Sequence, residues 1–197
     1  MAARQIVSGV VARWALAIAV LLLPLSALGA GTTLLVDTAF EPALAGAIDG
    51  AHREVVVGMY LFKADGPPTN RARALVRRLG KAVGRGVRVR VVLETTSGRG
   101  REVAVINHNT AKLLRDAGVT VLFDAPGRRS HGKFAVVDGH LCFIGSHNWT
   151  ESALRYNHEV SVEIDDAALG RELVAYADQL AAEGTRPGRR PAPEHRR

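Results

Sequence analysis

The order of its predicted elements places this sequence in the α/β class, as a three-layer α-β-α sandwich with a mixed, largely parallel sheet. Short apolar runs alternate with amphipathic helical segments through much of the chain, and two later apolar runs are joined by a tight turn. Hydrophobic residues make up 47% of the 197 residues and charged residues 23%, which is typical of a globular domain. The single cysteine excludes a disulfide framework and a cysteine-based zinc site.

Strands are predicted where short, largely apolar runs lie between turn signals. In chain order they cover residues 33–36, 54–62, 87–93, 119–123, 133–137, 141–144 and 158–164. The run at 54–62 is almost continuously apolar, which indicates a strand buried on both faces. Helical spacing of apolar residues predicts helices over 40–51, 70–84, 109–117 and 167–182.

The first thirty residues have the composition of a targeting segment. Arg4 and Arg13 precede an uncharged run over residues 14–30, which predicts a secretory signal peptide within residues 1–30. The alternative is an uncleaved membrane anchor formed by residues 14–30, because this length lies near the lower limit for a membrane span. Both interpretations predict an exported protein, periplasmic or secreted, with residues 31–183 as its folded domain.

Most of the positive charge lies at the ends of the chain. The formal net charge is +7, but residues 31–183 account for only +1 of it. Residues 184–197 carry five arginines and one glutamate, which predicts a disordered basic tail. The overall charge is therefore weak evidence for a nucleic-acid partner. Residues 71–90 do carry eight basic residues and no acid, although a solvated helix face is the simpler interpretation.

The residues that suggest chemistry surround a predicted hairpin turn within residues 138–140. His131 and Lys133 are two residues apart on a strand and therefore share a face. A two-residue turn at 139–140 pairs Lys133 with Ser146 and His131 with Asn148. A two-residue turn at 138–139 instead places His131 opposite Ser146. Either register brings these four side chains to one edge of a buried sheet.

This set of side chains suits a phosphate diester. Lysine supplies compact positive charge for nonbridging oxygens, serine and asparagine supply neutral donors, and histidine acts as nucleophile or proton shuttle near neutral pH. No carboxylate cluster suited to Mg²⁺ accompanies the set, so the sequence predicts no metal and no cofactor. The minority alternative is a zinc site built from His131, His140, His147 and His158.

Two acidic residues near this set are assigned different roles. Asp138 lies seven residues after His131, so an unbulged strand directs it to the opposite face, and we interpret it as a turn and scaffold residue. Glu159 opens the next strand and is the better candidate to orient His131 and stabilise its positive form.

The spacing of these residues resembles the signature of the phospholipase D superfamily. That signature, H-x-K-x4-D-x6-G-S/T-x-N, matches without departure from His131 to Asn148. A downstream Asn-x-Glu at Asn157 to Glu159 and a strand that ends in an aromatic residue resemble the small exported bacterial endonucleases of that superfamily. The resemblance covers about residues 38–183 and implies the phospholipase D/nuclease fold. Its main departure is a longer, proline-rich loop at 64–70, which is a candidate edge of the substrate cleft.

The resemblance also implies a catalytic set and a mechanism. The set is His131, Lys133, Asp138, Ser146, Asn148 and Glu159. In this family a histidine attacks phosphorus to form a phosphohistidine, and a second histidine protonates the leaving oxygen. Because this chain carries one copy of the signature, a homodimer with one shared active site is implied. Lys133 and Asn148 are expected to clamp the phosphoryl oxygens, with support from Ser146.

Nucleic acid is the favoured substrate, cleaved by a metal-independent endonuclease of low specificity. Arg128 and Arg129 shortly precede His131 and are expected to bind the substrate. Further phosphate contacts are expected from the 71–90 run, Arg99, Arg101 and the tail. The alternative is a phospholipase D acting on phospholipid head groups, and a non-enzymatic binder is less consistent with the intact signature. Trp149 is expected either to pack beneath the hairpin or to line the cleft.

Overall fold

The structure is a computed structural model that describes residues 31–95 and 101–184. The predicted signal peptide or anchor, Arg99 and the tail beyond residue 184 lie outside the described residues. The strands are β1 (Gly31–Val36), β2 (Glu54–Met59), β3 (Arg88–Leu93), β4 (Thr120–Phe123), β5 (Lys133–Val137), β6 (Leu141–Gly145) and β7 (Val160–Asp165). The helices are α1 (Phe40–Gly50), α2 (Arg71–Gly84), α3 (Arg101–Asp116), α4 (Glu151–Arg155) and α5 (Ala167–Gly184), and a 3-10 turn spans Asp37–Ala39.

The strands form one mixed sheet in the order β1-β7-β6-β5-β2-β3-β4. Strands β2, β3 and β4 run parallel to one another, whereas the pairs β1–β7, β7–β6, β6–β5 and β5–β2 are antiparallel. The predicted mixed sheet is confirmed, but the expectation that it is largely parallel is wrong. A tight hairpin joins only antiparallel strands, and β7 and β1 continue that antiparallel pairing to the edge of the sheet.

Helices cover both faces of the sheet, which confirms the predicted three layers. The larger core lies on the face that carries α1, α2 and α3. On the opposite face α5 packs against the sheet through Ala177 and Ala181. Successive residues of β2 point to alternate faces, with Val55 and Val57 in the first core and Val56 in the second. Within residues 31–95 and 101–184, no helix combines the length and apolar character needed to cross a bilayer.

The β5–β6 hairpin has a register that differs from both predicted ones. Val137 pairs with Leu141 and Phe134 pairs with Ile144, so the connection is a three-residue turn over 138–140. Its first residue, Asp138, has a φ of 53°, and the following glycine has a φ of 77°. A two-residue turn was expected, and the extra turn residue shifts the partner of Lys133 by one position.

Helix α3 begins eight residues earlier than the sequence predicts. Its buried face includes Asn107 and Thr110, and these polar residues interrupt the apolar periodicity that a sequence-based prediction relies on. Both side chains bond to backbone groups that follow β2: Asn107 accepts from Phe62 N at 3.0 Å and donates to Tyr60 O at 2.8 Å. Helix α3 therefore holds the chain segment that leaves β2.

Candidate active site

His131 and Lys133 meet at the edge of the sheet where β2, β3 and β4 end. Lys133 Nζ donates to the His131 carbonyl oxygen at 2.9 Å and lies 3.4 and 3.5 Å from the two imidazole nitrogens. The ring of Tyr60, directly after β2, lies 4.3 Å from the imidazole between centroids, and Lys133 Nζ lies 4.9 Å from its centre. One aromatic side chain thus contacts both signature residues.

The surroundings of these two residues change their pKa values. Burial lowers the pKa of His131 below its ordinary value, and the positive charges of Lys133 and Arg129 add to this effect, while Glu94 opposes it. A lowered pKa favours the neutral imidazole, which is the nucleophilic form. Burial also lowers the pKa of Lys133, whereas the negative charge of Glu159 opposes this and favours the ammonium form.

Ser146 and Glu159 form a second group beside the first. The Ser146 hydroxyl donates to Glu159 Oε2, and the other oxygen of Glu159 accepts from Asn157 Nδ2 at 3.0 Å. The structure thus brings together the predicted Asn-x-Glu and Ser146. It gives Glu159 no hydrogen bond to His131 among the described residues, so the expected orienting contact is not made within one chain. The Ser146 hydroxyl takes up one oxygen of Glu159 instead, and the carboxylate influences Lys133 through its charge.

Asn148 lies between two buried residues, His147 and Trp149. Trp149 N donates to Leu61 O at 3.0 Å, and the Trp149 ring packs edge-on against Phe62 with centroids 5.0 Å apart. Of the two expectations for Trp149, the structure therefore supports packing beneath the hairpin. Asn148 Oδ1 is buried and receives no hydrogen bond from the part of the chain that the structure describes.

The glycine of the signature allows a close approach between β6 and β7. A Cβ atom at Gly145 would overlap the Cα and Oγ of Ser161 on the neighbouring strand. The same Ser161 hydroxyl lies 2.7 Å from His147 Nδ1. Glycine is needed here because any side chain would push apart the two strands that carry Ser146 and Glu159.

Asp138 lies at the opposite end of β5 from His131, so it does not join the reacting groups. Its carboxylate accepts backbone hydrogen bonds from His52 at 3.0 Å, Arg53 at 2.8 Å and Glu54 at 3.1 Å. Burial, the largest single effect, raises the pKa of this carboxyl, but the backbone hydrogen bonds from Arg53, Glu54 and His52 together outweigh it, so the pKa is lowered. The structure therefore places Asp138 in the turn, where the scaffold interpretation puts it, and separates it from His131, with which the signature groups it in the implied catalytic set.

Arg128 and Arg129 are exposed and lie just before His131, as the sequence order requires. Arg101 is also exposed and opens α3, which follows the end of β3 at the same edge of the sheet. Of these arginines, Arg129 lies close enough to His131 for its positive charge to lower the pKa of the imidazole. The structure leaves the predicted substrate contacts of Arg128 and Arg129 as a proposal.

The basic run 71–90 is largely committed to contacts within the chain. Its ion pairs join Arg71 to Glu41, Arg78 to Asp49, Arg88 to Glu54 and Arg90 to Asp178. Its bonds to carbonyl oxygens join Arg73 to Gly66, Arg77 to Pro68 and Arg85 to Ile48. The bonds of Arg73 and Arg77 hold the loop 64–70 against α2. Because most side chains of this run have partners within the chain, the structure gives little support to the expected phosphate contacts.

The histidines considered for a zinc site are held by different partners. His140 lies in the hairpin turn and contacts Asp165 Oδ1 at 2.6 Å, at the end of the sheet away from His131. His147 is buried, and His158 is exposed and contacts Asp37 Oδ2 at 3.0 Å. The four side chains therefore do not converge on one point.

A buried pair of carboxyl groups beneath His131 was not predicted. Glu94 follows β3, Asp124 follows β4, and both are 2% exposed. Glu94 Oε2 accepts from Ser130 N at 2.5 Å, and Asp124 Oδ1 accepts from Thr95 N at 2.8 Å. Burial, and then the contact with the Glu94 carboxyl, raise the pKa of Asp124 to about 8. The signal in the sequence is an acidic residue directly after each of two neighbouring parallel strands.

One family profile matches most of the folded domain. It is described as "Cardiolipin synthase, PLD-like domain", and it matches residues 44–181, including the complete signature from His131 to Asn148. This chain belongs to the phospholipase D superfamily. The resemblance drawn from the signature is therefore confirmed at the level of the family.

Relatives of the chain include two cardiolipin hydrolases. The mitochondrial cardiolipin hydrolase of Homo sapiens is 36% identical over 107 residues, which cover 54% of this chain and 38% of the relative. The enzyme of the same name from Xenopus laevis is 33% identical over 135 residues, which cover 68% of this chain and 56% of the relative. The chain thus spans only part of the length of these relatives.

A solved structure supports the fold assignment. Nuc from Salmonella typhimurium, described as a phospholipase D family member, superimposes with a TM-score of 0.63 at 21% sequence identity. The superposition covers 78% of this chain and 97% of Nuc. This phospholipase D-like chain therefore shares the fold of Nuc.

The Glu94–Asp124 pair predicts a pH-dependent stability. A carboxyl group whose pKa rises on folding stabilises the folded state at low pH, and this contribution is lost as the pH rises from about 4 to about 8. We expect Asp124→Asn, which replaces the protonated acid by a neutral group of the same shape, to reduce the fall in melting temperature between pH 6 and pH 9. Asp116→Asn, at an exposed carboxylate, is the control and should keep the wild-type dependence. If the melting temperatures of wild type and Asp124→Asn depend on pH in the same way, the raised pKa of Asp124 is contradicted.

Proposed function

We propose that this protein is an exported, metal-independent endonuclease of low sequence specificity that cleaves DNA or RNA through a phosphohistidine intermediate. The observation that carries the proposal is the exposed His131, whose pKa is lowered, in contact with Lys133 and beside the exposed Arg128 and Arg129. A neutral imidazole beside a fixed cation is suited to attack a phosphodiester, and a cationic approach on an open edge suits a long polyanion.

The first step forms the covalent intermediate. A ring nitrogen of His131 donates its lone pair to phosphorus, a nitrogen–phosphorus bond forms, and the bond from phosphorus to the leaving oxygen breaks. The leaving oxygen takes a proton from the partner subunit's His131. Lys133 and the amide of Asn148 bind the nonbridging oxygens, on which negative charge grows in the transition state.

The second step releases the product. The partner subunit's His131, now neutral, takes a proton from water as the water oxygen attacks phosphorus. The nitrogen–phosphorus bond breaks, and its electron pair returns to His131. Glu159 contributes its charge, which favours the ammonium form of Lys133, and it holds the Ser146 hydroxyl in place.

This mechanism needs two histidines, and one copy of the signature supplies one. We therefore propose a homodimer in which two hairpins face each other across a twofold axis. An apolar strip supports this arrangement. It consists of Leu34 and Val36 on β1 and Val160 on β7, and these side chains are 63%, 44% and 55% exposed. Val36 pairs with Val160, and Ser146 N donates to Val160 O at 2.9 Å, so the strip reaches the candidate site.

The strip lies on the face of the sheet that α5 covers farther along. Leu34 and Val36 alternate with the buried Leu35, which belongs to the core of the opposite face. Contiguous exposed valine and leucine on one sheet face indicate a surface that another molecule covers. A second copy of the chain satisfies this requirement and brings the missing histidine to the site.

A phospholipid substrate is the second candidate function. The relatives from Homo sapiens and Xenopus laevis are named cardiolipin hydrolases, and they share 36% and 33% identity with this chain over the matched residues. The apolar strip beside Ser146 offers a surface on which acyl chains could lie, and Arg128 and Arg129 suit an anionic head group. The exported location proposed from residues 1–30 is compatible with either substrate.

The mechanism predicts that two histidines of the hairpin differ in importance. His131→Ala should abolish turnover of bis(p-nitrophenyl) phosphate and of plasmid DNA because it removes the nucleophile. Lys133→Ala should lower kcat by roughly 100- to 1,000-fold, since one oxyanion contact contributes about 3–4 kcal/mol. His140→Ala is the control, because His140 contacts Asp165 at the far end of the sheet, and it should retain most activity. A His131→Ala protein with near wild-type turnover would refute the mechanism.

The dimer predicts that a charge on the apolar strip separates the subunits. Val160→Lys should produce a monomer in sedimentation velocity, with loss of turnover, because burial of an unpaired ammonium is strongly unfavourable. Val105→Lys is the control, since Val105 is 50% exposed on α3, and it should remain dimeric and active. A fully active monomer of either wild type or Val160→Lys would contradict the shared site.

The substrate is predicted to be nucleic acid, and a panel in excess EDTA tests this. Plasmid DNA, RNA, phosphatidylcholine vesicles and cardiolipin vesicles are incubated with the protein, and log KM for DNA is then measured against log salt. Charge reversal at Arg128 and Arg129 should flatten the salt slope, because each lost phosphate contact removes one released counterion. Removal of residues 185–197 should weaken DNA binding at low salt and leave the chemical step unchanged.

The control for this measurement is a double reversal at Lys81 and Lys112, which are exposed on α2 and α3 away from the site. It should leave the slope unchanged. Rapid cleavage of cardiolipin or phosphatidylcholine, together with a flat salt dependence on DNA in all variants, would favour the phospholipase.

A further inference from the structure

Asp37, between β1 and α1, contacts two segments of the candidate site at once. Its backbone N donates to Glu159 O at 2.9 Å, and its Oδ1 accepts from Glu159 N at 2.8 Å. This pair of bonds follows directly on the Val36–Val160 pair of the sheet. The Asp37 carboxylate thus takes the place of a backbone carbonyl and fixes Glu159 on both sides of its Cα atom.

The second contact of Asp37 reaches the signature segment through His147. Asp37 O lies 3.0 Å from His147 Nε2, and His147 Nδ1 lies 2.7 Å from Ser161 Oγ. The imidazole is 1% exposed and is stacked on Phe40, with centroids 4.3 Å apart and an interplanar angle of 11°. Burial lowers the pKa of His147, which favours the neutral ring.

A neutral His147 has one proton to place. Asp37 O is only an acceptor, so the proton lies on Nε2 and is donated to it, and Nδ1 then accepts from the Ser161 hydroxyl. Every polar atom of the ring is used in this arrangement. The backbone between Ser146 and Asn148 is therefore held by a buried side chain that has one orientation.

The backbone of Asp37 is held in an uncommon conformation. Its φ is 50°, in the left-handed region, which costs a non-glycine residue on the order of 1 kcal/mol. Aspartate tolerates this region better than most residues. The conformation turns the carbonyl toward His147 and the carboxylate toward Glu159, so the strained residue serves two contacts at the site.

We propose that Asp37 is a positioning residue that sets Glu159 directly and the Ser146–Asn148 segment through His147. The inference rests on the proposed function only in that Glu159 supports the reaction there. A turn that merely joined β1 to α1 would not require a carboxylate bonded to the residue that holds Ser146. Asp37 itself touches none of the reacting atoms and works through Glu159.

The test compares four variants in the full-length protein. Asp37→Gly and Asp37→Ala remove the carboxylate, and glycine accepts the positive φ without strain, so the pair separates strain from the lost contact. Asp37→Asn keeps an oxygen that accepts from Glu159 N. His158→Ala is the matched control, because it removes only the partner of Asp37 Oδ2.

Steady-state kinetics on bis(p-nitrophenyl) phosphate provide the first readout. We expect kcat of Asp37→Gly and Asp37→Ala to fall about 10- to 100-fold with KM changed less than about twofold, as is typical when a residue that orients a functional group is lost. Asp37→Asn should recover kcat to within about threefold of wild type, and His158→Ala should match wild type.

The pH profile provides a readout that general destabilisation does not move. The charge of Glu159 favours the ammonium form of Lys133. When Glu159 is displaced in Asp37→Gly, the alkaline limb of the kcat profile should move to lower pH, whereas Asp37→Asn should retain the wild-type limb. The groups facing Lys133 that also enter this profile are His131, Glu159 and the ring of Tyr60.

Hydrogen exchange tests the inference independently of activity. The Ser146 amide donates to Val160 O, and the Val160 amide donates to Ser146 Oγ, so neither amide bonds to Asp37. They should exchange at least about tenfold faster in Asp37→Gly than in wild type, while amides of β2 and β3 remain unchanged and report an intact fold. If wild type cleaves no phosphodiester, the proposed function fails, and the exchange result alone then decides the role of Asp37.

Three results would overturn the inference. The first is wild-type kcat and wild-type exchange at Ser146 and Val160 in Asp37→Gly. The second is a loss in Asp37→Asn as large as that in Asp37→Gly. The third is a loss of the same size in His158→Ala. Should Asp37→Gly fail to fold, Asp37→Ala takes its place, and a wild-type pH profile with full kcat in that variant would equally refute the proposal.

Discussion

The site depends most on the hydrogen bonds that the Asp138 carboxylate accepts from the backbone. This carboxylate accepts three backbone hydrogen bonds from residues 52–54, at the entrance to β2, and so ties the hairpin turn to that strand. With the turn fixed, β5 pairs with β2 from Val137 opposite Val55 to Lys133 opposite Met59. A slip of one residue would turn Lys133 to the other face of the sheet. The aspartate of the signature therefore acts across the length of a strand, roughly 17 Å from the lysine it positions.

The sequence was sufficient for the features that depend on spacing alone. Alternation along β5 predicted that Asp138 points away from His131, and the spacing of His131 and Lys133 predicted that these two side chains meet at the sheet edge. The sequence was insufficient to predict the length of the hairpin turn. The turn has three residues, the first two of them in the left-handed region, and sequence spacing does not distinguish it from a two-residue turn. The partner of Glu159 was missed for a related reason, since it depends on the loop between α4 and β7.

The largest errors concern polar residues whose partners are distant in sequence. A run of basic residues was expected to face solvent or substrate, yet its arginines bind carboxylates and carbonyl oxygens of α1, the 64–70 loop and α5. Asn107, Asp124 and His147 are buried although their types are usually exposed. Each bonds to backbone or side-chain groups of another element near the sheet edge, and such pairing becomes visible only after folding. These buried groups give the site a rigid frame.

The two surfaces beside the site connect oligomeric state to substrate. Arg128 and Arg129 lie on the His131 side, and the strip of Leu34, Val36 and Val160 adjoins Ser146. The phosphorus chemistry is the same for a nucleotide and a lipid head group, so the choice of substrate depends on these surfaces. If a second subunit covers the strip, acyl chains cannot bind to it, and only the cationic surface then remains to receive a substrate. In the proposed dimer, the subunit that supplies the second histidine would also cover the surface that favours lipid, so the proposed dimer and the proposed preference for a polyanion support each other.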